Sequence, residues 1–339
     1  MIGSPQKPDS PMKKILSISL SPTIDVSCDA QHVQPTRKIR TFNQSYQPGG
    51  CGVNVARVIA ELGSSPDLLY LTGGATGALL TDSLDKTTIR LHALASSGST
   101  RISYTVHETQ SGLEYRFVPE GTRMSDGEFQ KVLEEIEKLD FDYIVLSGSL
   151  PKDAPPDSYA RITQKAMARG ALVILDSSGK ALEKALKEPG VFLVKPSLGE
   201  LEQLVGRSLD RDAAGHEAMA LIKTGSAKII VVSLGADGAL LVQSSGIIYA
   251  PAPTVLVRSA VGAGDSFVGA MTLALSMGST VEEAFHFGAA AGSAAVMTPG
   301  TQLCRREDVL QLYQQSANNR QMAENNDLLR KLANPTFPA

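Results

Sequence analysis

Ser259-Ala-Val-Gly-Ala-Gly-Asp-Ser-Phe-Val-Gly-Ala-Met-Thr-Leu273 is the stretch around which this chain is organised. Gly262, Ala263 and Gly264 carry almost no side chain, Asp265 follows at once, and residues 267 to 275 read as a buried helix. A small-residue turn that opens a helix aims free backbone N–H groups at one point, with the positive end of the helix dipole behind them. That suits a phosphate. A carboxylate beside it suits a proton acceptor. The stretch alone also fits a helix start that needs glycine for close packing, with Asp265 as a surface cap.

Outward from this stretch the chain alternates strand, polar loop and helix. Strands are expected at 14–20, 68–71, 143–146, 171–175, 191–194 and 228–233, each followed by a loop. Ser125-Asp-Gly-Glu128 and Thr280-Val-Glu-Glu283 read as capping boxes, the first for a helix through Leu139 and the second for one through about Met297. Further helices are expected at 53–62, 77–86 and 156–168. Such alternation predicts an α/β fold with a mostly parallel central sheet flanked by helices. Ligands of open α/β sheets bind beyond the carboxyl ends of the strands, where the notable motifs all fall. Two stretches, about 26–47 and 98–119, are β-prone and break the alternation. They suit a small sheet standing off the core, one face of which must cover a ligand or another subunit.

The 339 residues are 42% hydrophobic and 20% charged, with a net charge of −3, so a broad attraction to nucleic acid or to an anionic membrane is not expected. No apolar run reaches the length of a membrane span. Residues 1–11 hold three prolines and no apolar core of a secretory signal, and read as a disordered tail. Cys28, Cys51 and Cys304 lie far apart, without the spacing of a disulfide framework or zinc site, which fits a reduced, cytoplasmic setting.

Walker-type, dinucleotide-binding and nucleophile-elbow motifs are absent. Three other groups accompany the glycine run. Ser233-Leu-Gly-Ala-Asp-Gly238 follows an apolar strand and fits either a hairpin turn or a ligand loop. Lys195-Pro-Ser-Leu-Gly-Glu200 follows another and fits either a capped helix with a surface lysine or part of a site. Early in the chain, Asp25, Asn54 near Gly49 and Gly50, and Arg101 suit the hydroxyl groups of a sugar, though each alone fits a turn or a solvated charge.

Together these residues resemble the ribokinase-like carbohydrate kinases, in their phosphosugar branch. Both signatures of that family are recognisable, Pro48-Gly-Gly-Cys-Gly-Val-Asn-Val-Ala-Arg57 and Val261-Gly-Ala-Gly-Asp-Ser266. Ser21-Pro-Thr-Ile-Asp25, Ser147-Gly-Ser-Leu-Pro151, Lys195-Pro196 and Ser233-Leu-Gly235 follow in the family's order, and the likeness runs from about Lys13 to Leu312. Asp176-Ser-Ser-Gly179, Val231-Val-Ser-Leu-Gly235 and Phe287-Gly-Ala-Ala-Ala-Gly-Ser-Ala-Ala295 look most like the bacterial minor-type 6-phosphofructokinases. Tagatose-6-phosphate kinases and 1-phosphofructokinases share most of these motifs.

The resemblance implies a ribokinase-like three-layer sandwich over 13–313 with a small β-sheet lid, between tails at 1–12 and 314–339. It implies a homodimer formed through the lids, and transfer of the γ-phosphoryl group of ATP, with Mg²⁺, to the 1-hydroxyl of fructose 6-phosphate or to a similar sugar phosphate in glycolysis. Asp265 matches the family's catalytic base, and the backbone of Gly262, Ala263 and Gly264 its anion hole. Asp25, Gly49, Gly50 and Asn54 match sugar contacts; Lys38 and Arg101, with Ser149 near by, match the holders of the sugar's phosphate. Lys195, Ser233, Gly235 and Gly238 match the nucleotide site, with small residues from Ala289 to Ser293 lining the adenine pocket. Ser197 stands where the family usually has Asn, beside Glu200, which supports Mg²⁺ through water. The backbone near Ser259, Val261, Thr298 and Gly300 matches a monovalent cation site such as one for K⁺. A non-catalytic sugar-phosphate sensor on the same fold is disfavoured by the retained Asp265 and glycine run.

Overall fold

In the computed structural model, residues 12–319 and 327–333 are described, and the expected tail at 1–11 and the ends of the C-terminal tail lie outside them. The first part of the chain forms β1 (Ile15–Ser19), β2 (Thr23–Ala30), β3 (Thr41–Gly49), α1 (Cys51–Glu61), β4 (Asp67–Thr72), α2 (Gly74–Leu84), β5 (Arg90–Ala95), β6 (Arg101–Glu108) and β7 (Glu114–Phe117). Then follow α3 (Asp126–Lys138), β8 (Tyr143–Ser147), α4 (Ser158–Met167), β9 (Leu172–Asp176), α5 (Gly179–Lys187), β10 (Val191–Val194), α6 (Leu198–Val205), α7 (Arg211–Lys223) and β11 (Ala227–Ser233). The last elements are β12 (Ala239–Gln243), β13 (Gly246–Ala250), α8 (Ala263–Ser276), α9 (Val281–Ala295), α10 (Arg306–Asn319) and α11 (Asp327–Ala333).

One nine-stranded sheet runs in the order β13-β12-β11-β10-β9-β8-β1-β4-β5. All its pairings are parallel except those of β12 and β13. Alternate residues of its strands point to opposite faces, and each face has its own core. Val145, Ile174, Leu193 and Ile229 pack with residues of α1, α8, α9, α10 and α11. Their neighbours Ile144, Val173, Val194 and Ile230 pack with α3, α4, α5, α6 and α7. The result is the three-layer sandwich expected.

The second sheet has the order β3-β2-β6-β7 and is the expected lid. Ile24 and Val26 of β2 and Ile102 of β6 pack on Val53 and Ala56 of α1 and Leu80 of α2, which fastens its root. The register puts Tyr46, Val26, Tyr104 and Phe117 in one row across the four strands, and Ser45, Ser27, Thr105 and Arg116 in the next row, on the opposite face. The lid is therefore aromatic on one side and polar on the other. On the polar side Ser259 Oγ donates to Glu114 Oε2 over 3.1 Å, and Gly300 lies against Ser27, where an added methyl group would come within 2.8 Å of its Cβ.

Several elements depart from the sequence reading. Asp25 lies inside β2, two residues past its start. The region after β11 turns back as two antiparallel hairpin strands rather than entering a helix, and residues 233–238 make the turn into β12. α5, α7 and α10 were not foreseen. α10 runs through position 314, where the tail was expected to begin, and Leu328 and Leu332 of α11 join the core. Among the described residues no helix is long and apolar enough to cross a membrane.

Candidate active site

Gly262 is the N-cap of α8, with φ of 76°, a left-handed conformation that glycine adopts without strain. No side chain caps this helix, and its first internal bond is Ser266 N–H to Gly262 O. The N–H groups of residues 263–265 are thus left open to a ligand. Asp265 is not the surface cap of the bland alternative. It is buried, at 8% exposure, and Asn54 Nδ2 of α1 donates to its Oδ2 over 2.8 Å. Burial, and then the nearby Asp176 carboxylate, push its pKa up to about 6, against the pull of Asn54, Lys195 and Cys51. A buried carboxylate so shifted is a stronger base than a solvated one, and still ionised at neutral pH.

Beside the open turn stands Lys195, which is buried rather than the surface lysine of the alternative reading. Its Nζ lies 3.1 Å from Asp176 Oδ1, and 3.4 Å from where a methyl group on Gly264 would be. Burial works to lower its pKa, but the Asp176 carboxylate outweighs that and the pKa is raised, so the ammonium is held charged at the mouth of the hole. Asp176 and Cys51 belong to this cluster and were given no role from sequence. Asp176 could have been found as an acid at a strand's carboxyl end. Cys51 carried no signal beyond its place among the glycines.

The residues expected to meet a sugar begin at Asp25. A methyl group on Gly49 would come within 2.0 Å of Asp25 Oδ2, so the bare backbone there is required. Gly50 has φ of 95°, and a methyl group on it would come within 2.8 Å of Pro22 Cα. Burial raises the pKa of Asp25 while Arg57, Arg116 and Arg101 draw it down. Arg101 Nη1 and Nη2 donate to Pro119 O and Ser21 O over 3.0 and 3.3 Å, but its Nε and Ser21 Oγ are buried with no partner. Two such orphans together are a place for ligand oxygens. Arg57 donates to Pro48 O, Gln47 and Asn54, and burial lowers its pKa to about 10. Arg57 and Arg116 were not assigned from sequence; the alternation of β7, with Glu114 and Arg116 on the polar side, was the available signal. Ser149 is exposed in the loop after β8. Lys38 is not brought to this cluster by the strand register: it lies in the exposed loop 31–40, which leaves β2 at the end remote from Asp25.

Among the residues expected to meet a nucleotide, Ser233 N–H donates to Pro196 O over 3.0 Å, which joins the Lys195 and Ser233 loops. Ser197 caps α6 in a reciprocal box with Glu200: Ser197 N–H donates to Glu200 Oε2 over 2.7 Å, and Glu200 N–H to Ser197 Oγ over 3.3 Å. The capped-helix alternative therefore holds for this pair, and one carboxylate oxygen of Glu200 is already engaged. Gly235 and Gly238 both have positive φ, and a methyl group on Gly238 would strike Ala250 O at 2.1 Å. Ala289 and Ser293, one turn apart on α9, are half-exposed on one face. Ser259 N–H donates to Val296 O and Thr298 Oγ1 to Ala295 O and Gln302 O, so the segments around Ser259, Val261, Thr298 and Gly300 adjoin. Among the described residues no group of three His, Cys, Asp or Glu could hold a metal ion by itself.

A model of the pfkB family carbohydrate kinases matches residues 12–308. The ATP-dependent 6-phosphofructokinase isozyme 2 of Escherichia coli K12 is 39% identical over 304 residues, covering 89% of this chain and 98% of that one. The crystal structure of phosphofructokinase-2 from Escherichia coli in complex with potassium superposes with a TM-score of 0.86 at 38% identity, over 89% of this chain and 98% of that one. The same enzyme in complex with fructose-6-phosphate gives 0.84 at 37% identity, over 89% and 98% of the two chains.

Proposed function

This chain belongs to the pfkB family of carbohydrate kinases, and we propose that it is an ATP-dependent 6-phosphofructokinase acting in the cytoplasm, which transfers the γ-phosphoryl group of ATP to the 1-hydroxyl of fructose 6-phosphate. The observation that carries this reading is the buried Asp265, held by Asn54 at the open N-terminus of α8. A sugar hydroxyl is a poor nucleophile, and a positioned carboxylate takes its proton as the O–P bond forms. The charge that spreads over the phosphoryl oxygens meets the N–H groups of the α8 turn and the ammonium of Lys195. The sugar's existing phosphate adds nearly two negative charges. Arg101, with its unpartnered Nε, and Arg116 on the lid answer that demand, with Lys38, exposed in the loop after β2, reaching in from a second subunit.

Mg²⁺ enters with ATP. With no side-chain cage among the described residues, its donors would be phosphate oxygens and waters, with Glu200 behind them. The backbone around Ser259, Val261, Thr298 and Gly300 is the place for a monovalent cation, in keeping with the potassium complex of the Escherichia coli enzyme. The aromatic row of the lid suits a homodimer formed lid to lid.

ADP release on fructose 6-phosphate, tagatose 6-phosphate and fructose 1-phosphate tests the assignment. Fructose 6-phosphate should give the highest kcat/KM; equal or better turnover of either rival sinks it. Asp265→Asn should lower kcat at least about a thousandfold while ATP still binds. Unchanged turnover would remove Asp265 from its role.

A further inference from the structure

An open cleft of about 500 Å³ lies between the C-terminal half of α1, the turn after α2 and the loop that leads into α10. It is lined by no residue expected to meet a sugar or a nucleotide, and its size suits a small molecule. Arg57, Lys86 and Arg305 line it, against one carboxylate, Glu61. Glu61 Oε1 already accepts from the N–H of Arg306 over 3.2 Å. Lys86 and Arg305 are exposed, and neither has an ion pair among the described residues. Their loops are nevertheless held. Thr88 Oγ1, near Lys86, donates to Ser64 O over 3.0 Å, and Arg306, next to Arg305, donates to Leu62 O and Leu332 O. Arg57 faces two ways. It lines the cleft, yet its Nη1 donates to Pro48 O over 2.6 Å and to Asn54 Oδ1 over 3.4 Å, and its Nη2 to Gln47 Oε1 over 2.9 Å. Asn54 holds Asp265, and Pro48 precedes the Gly49 that packs on Asp25. A second wall of the cleft, Leu303, stands where a methyl group on Gly262 would come within 2.6 Å of its Cδ2. The cleft therefore backs both the sugar contacts and the glycine turn.

We propose that this cleft is an effector site for a small phosphorylated anion, held by Lys86, Arg305 and Arg57 and acting on the sugar pocket through Arg57. A guanidinium fork matches the oxygens of a phosphoryl group, and an ammonium adds a point charge. The hydroxyl groups in the wall are spent, Thr87 Oγ1 on Leu84 O and Thr88 Oγ1 on Ser64 O, so recognition falls to the cations. Burial lowers the pKa of Arg57 to about 10, while Asp25 and Glu61 draw it up. An anion in the cleft would favour its charged form further. It would also draw the guanidinium from Gln47 and Pro48 O, which loosens the corner between β3 and α1. The expected effect is weaker binding of the sugar phosphate rather than of ATP. By linkage the sugar phosphate weakens the anion by the same factor. The action on the sugar pocket rests on Asp25 and Asp265 having the roles proposed above; binding in the cleft does not.

The test titrates inorganic phosphate, and separately pyrophosphate, into the full chain by calorimetry at constant ionic strength, as wild type and as Lys86→Gln combined with Arg305→Gln. Both side chains are exposed, so the double variant keeps its core. Binding of either anion at the candidate active site is common to the two proteins, so the difference between them reports the cleft. Wild type should show one further site, which the double variant loses or fills at least about tenfold more weakly. The probe bound more tightly tells a monophosphate ligand from a diphosphate, and either order supports the site. Isotherms that coincide in the two proteins overturn it. In steady-state kinetics, added phosphate should raise the KM for the sugar phosphate more in wild type than in the double variant, with the KM for ATP affected alike in both. The same dependence on phosphate in both proteins overturns the action through Arg57. Failure of the underlying reading shows separately, as turnover retained by Asp265→Asn.

Discussion

Asp265 costs the fold stability at the pH at which it works. Its carboxyl titrates near 6 when buried and near 3.8 when solvated. The native state therefore binds the proton more tightly, and stability falls as pH rises from about 4 to about 6. At about 1.4 kcal/mol per pK unit, the cost above that window is about 3 kcal/mol. Asp265→Asn keeps the shape and an acceptor for Asn54, but never has to ionise. Urea unfolding at pH 8 should show the inactive variant more stable than wild type by about 1–3 kcal/mol, with the gap closing by pH 4. A variant no more stable at pH 8 would contradict the burial of an ionised group. The position was legible because its chemistry is local: glycines, a helix start, an acid. Asp176 was not, because what it does is set by a partner distant in the chain, Lys195.

Among the elements, β3 and the start of α1 show how closely the bare backbone of Gly49 approaches Asp25. Gly49→Ala would drive a methyl group into Asp25, a short side chain with little freedom to yield. The KM for the sugar phosphate should rise tenfold or more with the KM for ATP changed less than about twofold, since the nucleotide loops do not touch Gly49. Steady-state kinetics with each substrate varied in turn checks this. Equal changes in both would show a general loss of structure. Capping boxes at Ser125 and Thr280 and the period-two lid strands could be read directly, since their signals lie within a few residues. α7 could not, because its apolar positions are shared with alanine and glycine and the stripe is faint. β12 was hidden because the turn that leads into it from β11 equally suits a ligand loop.

For the molecule as a whole, the two faces of the lid differ in character. Tyr46, Tyr104 and Phe117 are 58%, 42% and 55% exposed in one row, an apolar surface of the kind that proteins cover. Tyr46→Asp combined with Phe117→Asp should shift light scattering from dimer to monomer; a dimer that survives would move the contact elsewhere. The opposite, polar face holds Asp25 and Arg101 and touches the loops of Ser259 and Gly300. That a lid existed was visible in the sequence; which face looked inwards was settled only by pairing across strands.

β2 is next to β6 in space but lies on the far side of β4, α2 and β5 in the chain, with Thr23 opposite Arg101. A parallel pair so separated closes only after the intervening chain has been made and has begun to fold. During synthesis the glycine turn of α8 comes later still. A ribosome-bound fragment ending before Arg101 lacks two of the lid's four strands, and one ending before Gly262 lacks the glycine turn and Asp265. The half-made chain thus has neither a whole lid nor Asp265, and gains the second only with its last quarter.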